Sequence, residues 1–154
     1  MAQESVITEE MRKAIGVESE PTIVHVEKEP IRRFAAAIGD PNPLYHDEAY
    51  ARKLGYRSII APPGFAVEYC FPIKTGQMTM RFRPPFARNL NGGNEFEFIQ
   101  PIQAGDTISV TSRLADIYER DGRMGKMLFT IRETICRNQK GEIVQKVRGT
   151  GISY

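Results

Sequence analysis

The sequence contains no tryptophan, and only two cysteines and two histidines among its 154 residues. Cys70 and Cys136 lie far apart, and neither belongs to a Cys-x-x-Cys pair. No disulfide framework is therefore predicted, and a reducing compartment, the cytoplasm, is expected. Histidines and cysteines so few and so scattered give no metal-ligand cluster, so no metal is expected. Charge of neither sign prevails: 21 Lys and Arg against 19 Asp and Glu leave a net charge of +2. Without a basic stripe, nucleic-acid binding is not expected. No apolar run reaches the roughly 18 residues of a membrane span, and Met1 to Glu10 holds no long apolar stretch of the secretion-signal kind. The glycines form no phosphate-binding loop either: Gly92-Gly93 and Gly122 read as turn residues, and no bound redox cofactor is expected.

What remains is an ordinary balance, 41% hydrophobic and 26% charged. It predicts one soluble globular domain over residues 1–154, large enough to bury its own core. The first half reads helical. A short amphipathic helix is predicted over Val6–Val17, then a strand over Pro21–Val26. Pro30 opens a second helix at a position where its missing N–H is harmless. There Ile31, Phe34, Ala35 and Ile38 recur at helical spacing on one face, and Gly39 ends it. Asp40 to Pro43 cannot remain helical, because each proline disfavours the helical region in the residue before it. A small helix follows, with Asp47 and Glu48 near its positive end and Gly55 as its stop. After Pro62-Pro63-Gly64, the run Phe65 to Phe71 is nearly all apolar and predicts a buried helix ended by Pro72 and Gly76.

From Met80 onward the period becomes two. Phe96 and Phe98 alternate with glutamates, and Ile108 and Val110 with Ser109 and Thr111. Phe129, Ile131 and Ile135 share one face, with Arg132 and Thr134 on the other. A last strand runs from Ile143 to Tyr154. Turns are predicted at Asn91-Gly92-Gly93, Gln103 to Asp106, Asp121-Gly122 and Asn138 to Gly141. Sequential strands with short turns make an antiparallel sheet whose apolar face needs a cover. The most apolar helix, after Pro63, is the available cover. The predicted class is α+β: a hot-dog arrangement, an antiparallel sheet wrapped around one central apolar helix.

Gly39-Asp40-Pro41-Asn42-Pro43-Leu44-Tyr45-His46 resembles the hydratase motif Gly-Asp-x-Asn-Pro-(aliphatic)-His of the MaoC-like (R)-specific enoyl-CoA hydratase and (3R)-hydroxyacyl dehydratase family. The resemblance extends through the helix Ile31 to Ile38, the small helix Ala49 to Gly55, Ile60 to Phe65 and the turn Gln100 to Asp106, in the family's order. It implies reversible hydration of a trans-2-enoyl thioester. It implies Asp40 and His46 as catalytic residues and a backbone N–H at the start of the central helix, that of Gly64, as holder of the enolate oxygen. Asn42, Tyr45 and Phe65 are the further substrate-binding candidates. Coenzyme A or an acyl-carrier thioester is implied as substrate rather than as cofactor, and the partner is implied to be a second hot-dog chain, as a homodimer or a heterodimer.

The sequence departs from the family pattern twice. His46 is the sixth residue after Asp40, where the family has its histidine fifth, a position Tyr45 fills here. On a helix one residue of shift turns a side chain by about 100°. Counted from Ala61, the family's oxyanion glycine falls on Pro63, which has no N–H. With one residue inserted after Asp40, His46 and Gly64 recover both roles; with none, Tyr45 and Pro63 stand there. The first alignment implies an enzyme. The second resembles the MaoC N-terminal type of dehydratase subunit, which shapes an acyl tunnel for a catalytic partner. Read without the family, Asp40 and Asn42 are turn residues, Tyr45 packs beneath the turn, and His46 and Gly64 are ordinary helix-start residues. His25, on the first strand, is expected to face solvent or a subunit contact. A hot-dog thioesterase is a third reading, with Glu68 as its one carboxylate on the central helix, but it leaves the Asp-x-Asn-Pro segment without a purpose. Met78 to Phe86 reads either as a loop over an acyl chain or as a hydrophobic loop packed on a partner.

Overall fold

The computed structural model describes residues 5–67, 82, 84–123 and 125–154. Its centre is a five-stranded antiparallel sheet of order β1-β3-β4-β5-β2, comprising β1 (Thr22–His25), β2 (Asn89–Phe98), β3 (Thr107–Gly122), β4 (Gly125–Arg137) and β5 (Ile143–Ser153). Among the described residues, three short helices precede most of it: α1 (Glu9–Ala14), α2 (Lys28–Ala37) and α3 (Glu48–Lys53). Two single 3₁₀ turns cover Pro43–Tyr45 and Pro63–Ala66.

The period-two pattern determines which face of the sheet is covered. Val110 pairs with Cys136, Thr134 with Val147, and Phe96 with Val147. Side chains alternate along each strand, so these positions share one face. On it Val110, Cys136 and Val147 join Ile31 and Ala35 of α2 and Phe65 and Ala66 in the main core. A second cluster at the far end of the β3–β4 hairpin gathers Met11 of α1, Ile117 and Leu128, with Val6, Ile7, Phe82 and Phe86 packed against it. The face of β4 that looks most apolar in sequence, Phe129, Ile131 and Ile135, belongs to neither cluster. Phe129 stacks instead on Tyr118 of β3, with ring centroids 4.9 Å apart.

α1 is shorter than Val6–Val17 because the chain leaves the helix to bridge from Ile15 and Glu18 to β3. α2 begins at Lys28, so Pro30 is its third residue rather than its first; the proline N–H is still one that a first turn leaves unbonded. The expected turn at Asn91-Gly92-Gly93 is corrected. These residues lie inside β2 as a bulge, with the register shifting between Asn91 and Gly93. Gly93 takes φ +144°, and a Cβ on Gly92 would meet Ile152 at 2.9 Å. The glycine pair thus serves close approach within a strand rather than reversal of the chain. The apolar helix expected after Pro63 starts as the 3₁₀ turn Pro63–Ala66 and turns α-helical at Val67. Glu68, Tyr69, Cys70, Phe71, Pro72 and Gly76 lie outside the described residues, as does most of Met78 to Phe86. Cys136 is buried.

Candidate functional site

The loop from Gly39 to Asp47 is shaped by its own side chains. α2 ends in paired backbone bonds, from Gly39 N–H to Ala36 and from Asp40 N–H to Ala35, with Gly39 at φ +69°. Asp40 Oδ1 then accepts Asn42 N–H at 3.0 Å, and Asn42 Oδ1 accepts Leu44 N–H at 3.1 Å. These two Asx turns carry the chain past both prolines, which can donate nothing. Asn42 thereby caps the 3₁₀ turn, and Asp47 caps α3 by accepting Tyr50 N–H.

His46 folds back over this loop. Its Nε2 lies 3.1 Å from the backbone carbonyl oxygen of Asp40. A carbonyl can only accept, so Nε2 carries the proton; in the neutral ring Nδ1 is then the bare, basic nitrogen. Arg32 of α2 holds the same residue from behind, its Nε donating to the His46 carbonyl at 3.3 Å. The Asp40 carboxylate is engaged through one oxygen, and its other oxygen has no hydrogen-bond partner among the described residues. Tyr45 points the other way. It is 8% exposed and belongs to the main core.

The segment leading to Gly64 runs beside this loop. Ile60 N–H donates to Leu44 at 3.0 Å on one side, and Ala61 N–H donates to Ile102 at 2.8 Å on the other. The turn Gln103 to Asp106 locks that bridge in place. Asp106, with a side chain 5% exposed, takes the Arg57 guanidinium and the Gln139 amide on Oδ1, and Gln103 N–H on Oδ2. Gln103 Oε1 in return accepts Arg57 N–H at 2.8 Å.

At the helix start, Pro62 and Pro63 have no N–H, and Phe65 N–H is donated to Pro62 at 2.9 Å. Gly64 N–H is the one donor that this turn leaves available, and it has no acceptor among the described residues. Gly64 is exposed, whereas Phe65 is buried edge-on against Phe34, with centroids 5.8 Å apart. Asp40, Asn42 and His46 are half-buried and Gly64 is exposed, on segments joined by the Ile60–Leu44 bond, whereas Tyr45 and Phe65 lie in the core. His25 is exposed and shares a 3.2 Å contact with Thr107 Oγ1.

Sequence reasoning missed Arg32, whose part depends on a contact across 14 positions. It also missed the Arg57–Asp106–Gln139 cluster. The Gln103 to Asp106 turn was legible, but not its partners. Among the described residues no group of His, Cys, Asp and Glu is arranged to hold a metal, and no helix is long and apolar enough to cross a membrane.

A protein of the UPF0336 group from Saccharopolyspora erythraea is 34% identical over 90% of this chain and 88% of its own. Another, from Streptomyces avermitilis, is 39% identical over 60% of this chain, an alignment that spans 62% of the relative. Among solved structures, the HadBC (3R-hydroxyacyl-ACP dehydratase) complex from Mycobacterium tuberculosis shares the fold, with a TM-score of 0.75, 23% identity and coverage of 91% of this chain and 97% of that one. The fold is that of the MaoC-like dehydratases, the hot-dog fold expected from the sequence. The sequence profile of the FAS1-like dehydratase domain region matches residues 13–147, and the chain belongs to that family.

Proposed function

We propose that the chain hydrates a trans-2-enoyl thioester to the (3R)-3-hydroxyacyl thioester, and catalyses the reverse, through the Asp40–Pro41–Asn42–Pro43–Leu44–Tyr45–His46 loop. The observation that carries the reading is the bond from His46 Nε2–H to the Asp40 carbonyl. It fixes the ring tautomer and leaves Nδ1 to act as a base, with the half-engaged Asp40 carboxylate on the same loop. In hydration, the water oxygen bonds to C3 while a water proton passes to this pair. The π electrons move onto the thioester oxygen, which Gly64 N–H would hold as an enolate. A proton returned to C2 completes the addition, so water is added with no redox change. Acid–base assistance of this kind contributes roughly 10²–10⁴ in rate.

The test is crotonyl-CoA hydration by the purified chain, with Asp40→Asn and His46→Gln beside it. The asparagine amide oxygen can still accept Asn42 N–H, so Asp40→Asn preserves the turn and removes only the charge. The expected result is a loss of about 10²-fold or more in kcat for each variant, with unchanged thermal stability for Asp40→Asn. No turnover by the parent chain on any enoyl-CoA length would overturn the reading of a self-sufficient enzyme.

Tyr45 favours a second reading. It fills the core beneath the loop, and Pro63 removes a donor one position before Gly64. In that reading the chain pairs with a catalytic hot-dog partner, as the two components of HadBC form one dehydratase complex. Activity that appears only on mixing with such a partner, and is unaffected by Asp40→Asn, would select it.

A further inference from the structure

Val110, Cys136 and Val147 point into the main core, so the residues between them point to the opposite, outer face of the sheet. Strand register arranges the outer side chains in rows that cross four strands. One row is apolar: Tyr118 of β3 pairs with Phe129 of β4, Phe129 with Ile152 of β5, and Ile152 with Leu90 of β2. None of the four belongs to either core cluster. Tyr118, Phe129 and Ile152 are half-buried, and Leu90 is 53% exposed. Arg120 closes this row toward the hairpin tip, its guanidinium 5.2 Å from the Tyr118 ring centre and 5.6 Å from that of Phe129. A parallel row is charged: Arg113 pairs with Glu133, Glu133 with Arg148, and Arg148 with Glu95. Within it Arg113 donates twice to Glu133 Oε2, at 3.0 and 2.8 Å, and Arg148 Nη1 lies 3.9 Å from Glu133 Oε1. Arg113 and Arg148 remain 43% and 54% exposed, and Glu95 is exposed. Across the sheet the charges run plus, minus, plus, minus, and such a row is complementary to its own reverse.

We propose that this outer face binds the same face of a second copy of the chain, about a two-fold axis that runs along the strands between β4 and β5. That axis reverses each row and sets it opposite its own copy. Arg113 then meets the partner's Glu95, and Glu133 the partner's Arg148, so every charge gains an opposite neighbour and none is buried unpaired. Tyr118 covers the partner's Leu90, and Phe129 the partner's Ile152. In the row between, Asp116 meets the partner's Gly93 and Ile131 the partner's Thr150. Beyond the charged row, Thr111 meets the partner's Glu97 and Ile135 the partner's Lys146. No like charges face each other. A two-fold across the strands is disfavoured, because it sets charges against their own copies or against the apolar row. Sheets pack in this aligned way with strands within about 30° of each other. Four strands about 4.8 Å apart and four rows about 6.8 Å apart offer roughly 500 Å² per chain. A total of about 1,000 Å² stands at the lower limit of a specific interface, so a reversible association is expected rather than a permanent one. It holds whether or not the chain acts on thioesters.

The test is sedimentation equilibrium of the full chain from low to high micromolar concentration. The parent should show a reversible doubling of mass. Chains paired along the β2 edge would keep the outer face open, and the doubling would then run from dimer to tetramer. Glu133→Arg and Arg148→Glu each set like charges opposite one another twice per pair, and each alone should weaken the doubling about tenfold or more. Mixed in equal amounts, the two variants face each other with opposite charges at all four positions of the row, and the doubling should return. A general loss of stability predicts no such return, and thermal melts of each variant separate the two cases. Tyr118→Ser, three strands from the β2 edge, should weaken the doubling severalfold and decides the matter if a charge variant does not fold. A parent mass that stays constant with concentration would mean a solvated face and overturn the proposal. So would single variants, Tyr118→Ser included, that associate as the parent does, or a mixture no stronger than its components.

Discussion

At the scale of single residues, the turn Pro63–Ala66 meets α2 at Gly64. A Cβ built there would lie 3.3 Å from Phe34 Cζ, so the ring must yield, and that ring rests edge-on against Phe65. The Gly64 backbone needs no left-handed conformation, so the cost of Gly64→Ala is one of packing. We expect a loss of about 1–3 kcal/mol, seen as a Tm lowered by several degrees. Alanine keeps the N–H, so a hydratase that uses it should lose far less activity than Asp40→Asn. A Phe34→Leu background should recover most of the lost stability, because the two sites touch. An unchanged Tm in Gly64→Ala would mean that Phe34 moves freely. Asp40 and Asn42 show why residue types alone mislead. Both make the Asx bonds that a bare turn reading predicts, yet Asp40 keeps a second carboxylate oxygen without a partner among the described residues.

At the scale of elements, the N-terminal segment is tied to β3 by Glu119. Its Oε1 accepts Ser5 Oγ–H, Val6 N–H and Ile7 N–H, and Lys126 of β4 lies 3.4 Å from Oε2. Burial pushes this carboxyl up, but the donated hydrogen bonds and Lys126 outweigh it and hold it below its ordinary value of 4.5. A depressed folded value means that the unfolded chain binds the proton more readily. The stabilisation is therefore complete at neutral pH, begins to fall as pH approaches 4.5, and is gone below the folded value. Glu119→Gln should lower Tm by a few degrees at pH 7. Parent and variant should converge on acidification, as thermal melts at several pH values would show. A Tm difference independent of pH would assign the effect to packing instead. The contact joins positions 112–114 apart in sequence, which is why no local pattern announced it.

At the scale of the whole molecule, β2 is the exposed edge of the sheet. All but one of its residues are exposed, and Leu90 and Phe98 are 53% and 50% accessible. A ten-residue edge strand with exposed apolar side chains calls for a cover. We expect a dimer, with itself or with a second hot-dog chain, formed through β2. Analytical ultracentrifugation should report twice the 17.4 kDa chain mass for the protein alone if it self-associates, and Phe98→Glu should shift it toward monomer. A monomer that stays monomeric when mixed with a catalytic partner chain would rule out this edge as the interface.

The sequence by itself determined the strands, the α2 stripe of Ile31, Phe34, Ala35 and Ile38, the turn chemistry from Gly39 to Pro43 and the family. Each depends on local rules: side-chain period, proline and glycine backbone limits, and a motif contiguous in the chain. Only the tertiary structure decided which side of β4 meets the core. There, Cys136 and Thr134, paired with Val110 and Val147, are buried, whereas Phe129 and Ile135 are only half-buried. Only it decided that Asn91-Gly92-Gly93 bulges rather than turns, because the reason is the closeness of Ile152 on the neighbouring strand. And only it could orient His46. One residue of sequence shift leaves the ring's direction open, and a hydrogen bond to the Asp40 carbonyl, made by the folded loop, closes it.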